Sequence, residues 1–544
     1  MKEVSVIISG GGSVGLSLAA ELGWRGINCM ILEQASNLNP HPRANAVANR
    51  TMEYYRRWGI DKAITDAGIP PDHPADYYWI SSLHGRKLHA ISLPPFKKIK
   101  EVKDIGGYVK EEHTWSPYLK TITGQNEVEE VILNYLQTLS TVDINFNVKL
   151  KSFYQDDDGV TCHIENLKTG KTEDVRSKYL IACDGGKSMV REQLNIRLTG
   201  RADMAKFVSI YFKAPDFMKC HKFGSANIFF PLHKNYAGFL LNWDGGTTFT
   251  YHLMLKEGQL WDEVDTKASI EAVLGNSTPI EVISTQPWTA HALVADKYHN
   301  NRVILAGDAA HLFTPTGGFG MNTGVSDAID IAWKIQAMIE GWGGKNLINS
   351  YFMERHLIGV RNTKEAADCF DQLYSVMQYG DELDDESEKG RNLRERLSNN
   401  LKEQDKLIAS SGTLLGYRYN NSPIIISDGT EETIDNPRKY IPTARPGHRA
   451  PHIWLEEGIS IYDKLDKNFT LLVFSENIKK TEDFLNQARN INFPIKVLEI
   501  KDEDAFKLYE YNFVLIRPDL MVAWRSNTIP ANPLKIIDIV RGSK

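Results

Sequence analysis

Cysteine is scarce in this 544-residue chain and widely spaced: Cys29, Cys162, Cys183, Cys220 and Cys369, an odd number with no CxxC pair. Such usage provides neither a disulfide framework nor a zinc ribbon, and it predicts a reducing, cytoplasmic setting. No His/Asp/Cys spacing suggests a metal. Excess positive charge is missing too. The 63 basic and 69 acidic residues leave a net charge of −6, without the electrostatic footprint of a general nucleic-acid binder. No apolar run approaches the roughly 18 residues that a membrane span needs. Met1-Lys2-Glu3 runs directly into an apolar strand, so no cleavable signal is expected. Repeats and low-complexity tracts are absent. The remaining composition is ordinary for a globular protein, 42% hydrophobic and 24% charged. The length allows roughly three or four structural units.

A βαβ unit opens the chain. The apolar run 4–9 (VSVIIS) reads as a strand, VGLSLAAELGWRG as a helix and INCMILE as a second strand. Between the first strand and the helix, Gly10, Gly12 and Gly15 form GxGxxG. Gly10 allows the tight turn, Gly12 lets the backbone approach a pyrophosphate, and Gly15 lets helix and strand pack closely. The helix start, with Ser13 and Val14, offers unpaired N–H groups to phosphate. Glu33, followed by Gln34, closes the second strand, where a carboxylate accepts hydrogen bonds from ribose hydroxyls. This fingerprint predicts a nucleotide site but does not separate NAD from FAD; a glycine turn that only aids packing is the alternative.

Two later segments decide between the cofactors by resemblance. Residues 183–191 read CDGGKSMVR and residues 307–327 read GDAAHLFTPTGGFGMNTGVSD. Taken in order with the first loop, they resemble the class A flavoprotein monooxygenases, the aromatic and polyketide hydroxylases with the p-hydroxybenzoate hydroxylase fold. The resemblance covers roughly residues 1–375. It implies FAD, held by the first loop and by Arg43, Gln125, Asp184, Gly185, Asp308, Pro315, Gly318, Gly320, Met321 and Asn322. Ser188 reads either as part of that site or as a helix cap, and Arg191 as a phosphate contact or a structural ion pair. His311 reads as structural within the GDAAH turn. No second strand–GxGxxG–helix unit exists, and Gly341-Trp342-Gly343-Gly344 follows a helix. NADPH or NADH is therefore expected to reduce the flavin without a Rossmann domain of its own.

The resemblance further implies the chemistry: reduced flavin captures O₂ as a C4a-hydroperoxide, which hydroxylates an aromatic substrate. An FAD dehydrogenase or oxidase without oxygen insertion is the alternative. Phenol hydroxylases of the family carry an acid two residues after the position of Arg43; here Asn45 stands there, and an amide cannot take a proton at neutral pH. That departure favours a polycyclic, polyketide or antibiotic-like substrate over a simple phenol. Phe212, Phe229, Phe239, Phe249, Trp288 and Phe319 are candidates to line its cavity, and 215–228 is a candidate access loop. No catalytic side chain is required.

The expected fold class is α/β: a Rossmann-like FAD-binding domain (1–75, 108–185 and 295–375) interleaved with an α+β substrate domain carrying an antiparallel sheet (76–107 and 186–294). The charge-rich stretch within 376–435 reads as a solvated helical connector. Residues 436–544 resemble the thioredoxin-like appendage of the larger hydroxylases, with redox function excluded because the last cysteine is Cys369. A homodimer fits the same pattern.

Overall fold

The parallel sheet at the centre of the molecule is built from runs that are apolar on both faces, as a strand covered on both sides must be. The structure is a computed structural model and describes residues 1–93, 95, 114–275, 278–377, 379–402, 404, 409–474 and 478–544. The expected domain boundary at 107/108 lies outside the described residues. Strand Lys2–Ser9 pairs in parallel with Cys29–Glu33 and Thr172–Ala182. These pair in parallel with Val142–Phe146 and Val303–Leu305. Val6, Ile7, Ile8, Leu180 and Ile181 are fully buried within it. Val148–Gln155 and Val160–Asn166 extend the sheet as an antiparallel meander. Helix Ser13–Trp24 packs on it beside helix Gly320–Ile339. Gly15 permits the close approach: a Cβ there would lie 2.0 Å from the Gly10 carbonyl oxygen. The second helix stops at Gly341, whose φ of +79° suits glycine.

The second sheet has eight strands, mostly antiparallel. Their order is His311–Leu312, Glu281–Ala295, Leu198–Lys213, Thr248–Met254, Gly238–Asn242, Ile228–Pro231, Tyr77–Ile80 and Lys87–Ile91. Alternation along each strand divides its side chains between two environments. Val208, Ile210, Phe212, Phe229, Leu240, Phe249 and Tyr251 form one buried core. Ser209, Phe230, Phe239, Leu241, His252 and Trp288 face a cavity toward the first sheet.

The charge-rich stretch is helical over Glu388–Leu401, capped by Ser387, whose Oγ accepts from Gly390 N–H. One face of it is packed: Leu397 and Leu401 are fully buried in a cluster with Trp79 and Leu373.

The C-terminal sheet has the order Ile495–Glu499, Phe469–Val473, Phe513–Ile516, Val522–Ser526. Its first pair is parallel and the rest antiparallel. Helices Glu482–Asn490 and Glu503–Tyr509 lie between its strands in sequence, and Leu534–Val540 follows them. This is the arrangement expected of a thioredoxin-like unit. It joins the first sheet's helices through buried charge. Arg517 reaches Glu354 at 2.5 Å, Asp330 at 3.0 Å and Asp519 at 2.7 Å, while Lys334 bridges Asp330 at 2.7 Å and Glu354 at 2.6 Å. Arg449 pairs with Glu53 in the same buried fashion.

Candidate functional site

A cavity of about 1650 Å³ lies between the two sheets. Its walls come from segments far apart in sequence, because each parallel strand ends in a loop at the same edge of the sheet, where ligands of such sheets bind. Gly10, Gly12, Ser13 and Val14 line it, as do Glu33, Gln34, Arg43, Gln125, Asp184, Gly185, Asp308, Pro315, Gly318, Gly320 and Met321. On the second sheet Phe239 and Trp288 line it, and Phe319 joins them from the glycine-rich segment.

The glycine loop is held open. Gly10 sits at φ +104°, and a Cβ on it would lie 2.3 Å from the Cys183 carbonyl oxygen, so only glycine fits. A Cβ on Gly12 would meet nothing nearer than Glu129 Oε1 at 3.9 Å, leaving this backbone free for a ligand. Glu33 accepts from the N–H groups of Gly11 and Ala35, each at 2.7 Å, which fixes its carboxylate at the cavity edge. Helices Ser13–Trp24 and Gly320–Ile339 both begin without a side-chain cap and without an acid in the first turn. The N-terminus of Gly320–Ile339 therefore keeps positive potential for a negatively charged ligand, whereas at Ser13–Trp24 the first N–H is already taken by the Glu129 carboxylate.

Asp184 and Asp308 emerge beside these loops, and burial raises both carboxyls above the usual range. Asp308 is enclosed by protein yet opens to the cavity. Asp184 Oδ1 and Asn45 Nδ2 are buried with no hydrogen-bond partner among the described residues. Orphaned polar atoms on a cavity wall await a ligand's polar groups. Open glycines, an uncapped helix N-terminus at Gly320, a ribose-type acid, an unpaired acceptor on Asp184 and an unpaired donor on Asn45 are what a long dinucleotide such as FAD requires, so the residues fit that group.

Several residues settle differently from their sequence readings. Phe212 and Phe229, with Phe249, do not reach the cavity. Strand alternation turns them to the opposite face, where Phe217 packs against both Phe229 and Phe249. Phe217 also anchors the start of 215–228, so that end of the expected access loop is tied into the core. Gly15 serves helix packing rather than the wall. Asn322 has its side chain engaged within the protein: Oδ1 accepts from Ala48 N–H at 2.8 Å and Thr51 Oγ1 at 2.7 Å, and Nδ2 donates to Ala46 and Gly318 carbonyls. Ser188 caps a short helix, accepting from Arg191 N–H. Arg191 donates to the Ala309 and Gly186 carbonyls, tying the second motif to the third. His311 is structural, with Nε2 at 2.6 Å from Asp327 Oδ2 and Arg355 holding the other carboxylate oxygen at 2.7 Å, all fully buried.

Of the wall residues outside the sequence reading, four bear on the chemistry. Glu129 Oε1 accepts from Ser13 N–H at 2.9 Å, Ser13 Oγ at 2.6 Å and Gln125 Nε2 at 2.7 Å. Its place one helical turn after Gln125 was the available signal. Lys120 lines the cavity, and burial lowers its ammonium to about 8. Arg43 also lines the cavity, near enough to Asp308 to oppose part of the rise that burial gives its carboxyl. His41 bridges Ser209 and Ser284 at 2.7 Å each, held down to about 4 by burial and by Arg43. His252, the fourth, is brought into the wall by a strand register that the sequence does not reveal.

Residues 3–366 match the FAD binding domain family, and residues 443–536 match the aromatic-ring hydroxylase C-terminal family. The chain belongs to the FAD-dependent aromatic-ring hydroxylases. It is 30% identical to the FAD-dependent monooxygenase apdD of Emericella nidulans, over 96% of this chain and 88% of that one. It is 28% identical to the tetracenomycin B2 monooxygenase-dioxygenase of Streptomyces olivaceus, over 98% and 97%. Among solved structures, the rebeccamycin biosynthetic enzyme RebC with reduced flavin superposes with a TM-score of 0.89 at 30% identity, covering 100% of this chain and 99% of RebC. As in other hydroxylases of this kind, FAD is the resident cofactor, and the three sequence motifs of this chain meet at its cavity. No helix among the described residues is long and apolar enough to cross a membrane.

Proposed function

We propose that this hydroxylase consumes NAD(P)H and O₂ to hydroxylate a polycyclic, oxygen-bearing aromatic compound of polyketide type, in the cytoplasm. The carrying observation is the size and lining of one cavity. Pockets for a single drug-sized ligand run to about 1000 Å³. Here about 1650 Å³ is lined by both the nucleotide loops and the aromatic wall of Phe230, Phe239 and Trp288. Cofactor and a multi-ring substrate therefore have room side by side. The tetracenomycin B2 relative is named for a compound of its own, and its match over nearly the whole chain supports this substrate class. None of the five cysteines forms a disulfide, which suits a reducing compartment.

FAD, when bound, supplies the redox and oxygen chemistry. The chain supplies position and charge. Gly10–Gly12 and the uncapped N-terminus of Gly320–Ile339 would hold the anionic cofactor, with Glu33, Asp184 and Asp308 as acceptors for its hydroxyl groups. The aromatic wall excludes water and orients the substrate ring. Asn45 provides no proton acceptor, and His41 is held neutral with both ring nitrogens engaged by serine hydroxyls. Lys120 and Arg43 instead place positive charge on the wall, which favours an acidic phenol or enol already ionised. The test is a panel of polycyclic phenols and quinones screened for stimulated NADPH and NADH oxidation. At least one compound gains one oxygen in mass if the reading holds; oxidation of the substrate without that gain overturns it.

A further inference from the structure

The aromatic wall contains one polar side chain whose hydrogen bonding the protein leaves half made. His252 lies on strand Thr248–Met254, opposite Ser209 in register, and lines the cavity while only 4% exposed. Phe239 stacks on its ring at 4.4 Å between centroids. Trp288, itself stacked on Phe207 at 4.3 Å, meets its edge. The Trp288 indole donates to His252 Nδ1 at 3.2 Å. Nε2 has no partner among the described residues.

The tautomer follows from chemistry. An indole N–H only donates, so Nδ1 must be the ring nitrogen without hydrogen. Burial, with a smaller contribution from His41, keeps the ring neutral. The single ring hydrogen then sits on Nε2, which can donate but cannot accept. A buried donor left unpaired in the free protein is a group that a ligand oxygen satisfies.

We propose that His252 is the polar anchor of the substrate site, its Nε2–H donating to a carbonyl oxygen of an aromatic ligand, with Trp288 fixing the tautomer. This rests on the aromatic-hydroxylase reading above and adds a recognition rule: the ligand carries a carbonyl oxygen, not merely a fused ring with a hydroxyl. It also removes His252 from the candidate bases, because the nitrogen left without a protein partner already carries a hydrogen. His252 thereby discriminates among polycycles of similar shape.

The experiment uses the FAD-bound protein in two measurements. Histidine ¹⁵N shifts, with the His252 signal assigned by its loss in H252L, report the tautomer without any ligand. The Nε2–H form is expected in the wild type, and a mixture in W288F. Binding is read from the flavin absorption change on titration with 1-hydroxyanthraquinone and with its carbonyl-free counterpart, 1-hydroxyanthracene. The quinone is expected to bind more tightly and to lose about tenfold in H252L, the scale of one neutral hydrogen bond. The hydroxyanthracene is expected to change little. H252Q, which keeps a donor, recovers part of the quinone affinity, and W288F, which keeps His252 and the ring stack, loses a smaller amount. These two variants keep the test valid should H252L fold poorly. An Nδ1–H tautomer in the wild type overturns the proposal, as does quinone affinity unchanged by H252L and W288F. In either case the hydroxylase reading stands. If neither compound perturbs the flavin, both the anchor and the polycyclic substrate class fall.

Discussion

Single side chains in this molecule act through what they fix in place. Glu129 touches the glycine loop and Gln125 with one carboxylate oxygen, so it sets the geometry of two cofactor-facing groups at once. Glu129→Ala is expected to weaken FAD binding at least tenfold, followed by flavin fluorescence on release; an unchanged affinity would show that Ser13 and Gln125 hold their places unaided. Gly10→Ala sets a Cβ against the Cys183 carbonyl at a positive φ. It should cost about 1–3 kcal/mol from the strained backbone alone, beyond the clash, and yield flavin-poor protein with a lowered Tm. Lys120 carries the pH dependence. Burial lowers its ammonium to about 8, so its charge is complete below that pH and disappears above it. KM for an acidic phenol should therefore rise as pH passes 8, and Lys120→Met should remove that rise. The glycines were legible in the sequence because their roles are set by backbone conformation, which a motif encodes. Lys120 and His252 were not: Lys120 belongs to no motif, and His252 takes its meaning from Ser209 and Trp288, each more than 30 positions away.

At the scale of the element, alternation along strands separates function from packing. Phe239 faces the cavity and Phe212 the opposite core. Phe239→Ala should raise substrate KM with little loss of stability, whereas Phe212→Ala should cost about 3–5 kcal/mol of stability and leave KM close to wild type. Thermal melting and steady-state kinetics on both variants check this, and the reverse pattern would contradict the strand register. The sequence shows where such strands lie, since residues 205–255 are rich in aromatic and β-branched residues. It does not show which parity faces the cofactor, because both faces of this sheet are covered and the usual polar–apolar alternation is missing. Helix Gly320–Ile339 shows the complementary case. Its glycine-rich start was readable, but its anchor, Asp327 between His311 and Arg355, was legible only in part, through His311. Asp327 is held below the usual carboxylate range: burial opposes this, and Arg355 and His311 outweigh it. Its stabilisation is therefore complete above the ordinary carboxylate pKa and is lost as acidification passes its lowered value. Asp327→Asn should narrow that acid-dependent loss in a pH series of melting temperatures.

Across the whole molecule, three sheets are joined by charge as well as by apolar contact. The thioredoxin-like unit keeps no cysteine for redox work, and the structure gives it another task. Arg517 and Arg449 pair with the carboxylates of Glu354, Asp330 and Glu53 at buried positions. Removing one partner of such a buried pair costs about 3–5 kcal/mol. Arg517→Ala should thus lower Tm markedly and promote flavin loss, although the residue is absent from the cavity wall; an Arg517→Ala protein with wild-type melting would deny the unit its structural role. The order of the domains was legible from motifs and composition. The ionic seam between them was not, since its members are separated by up to several hundred residues and none belongs to a motif. The central claim concerns the one cavity between the first two sheets. Determining the FAD-bound structure tests it most directly. The isoalloxazine ring should lie between Pro315–Gly320 and the wall of Phe239, His252 and Trp288, with open space for a substrate beside it. A ring located elsewhere, or a wall closed against it by side chains, would contradict the account.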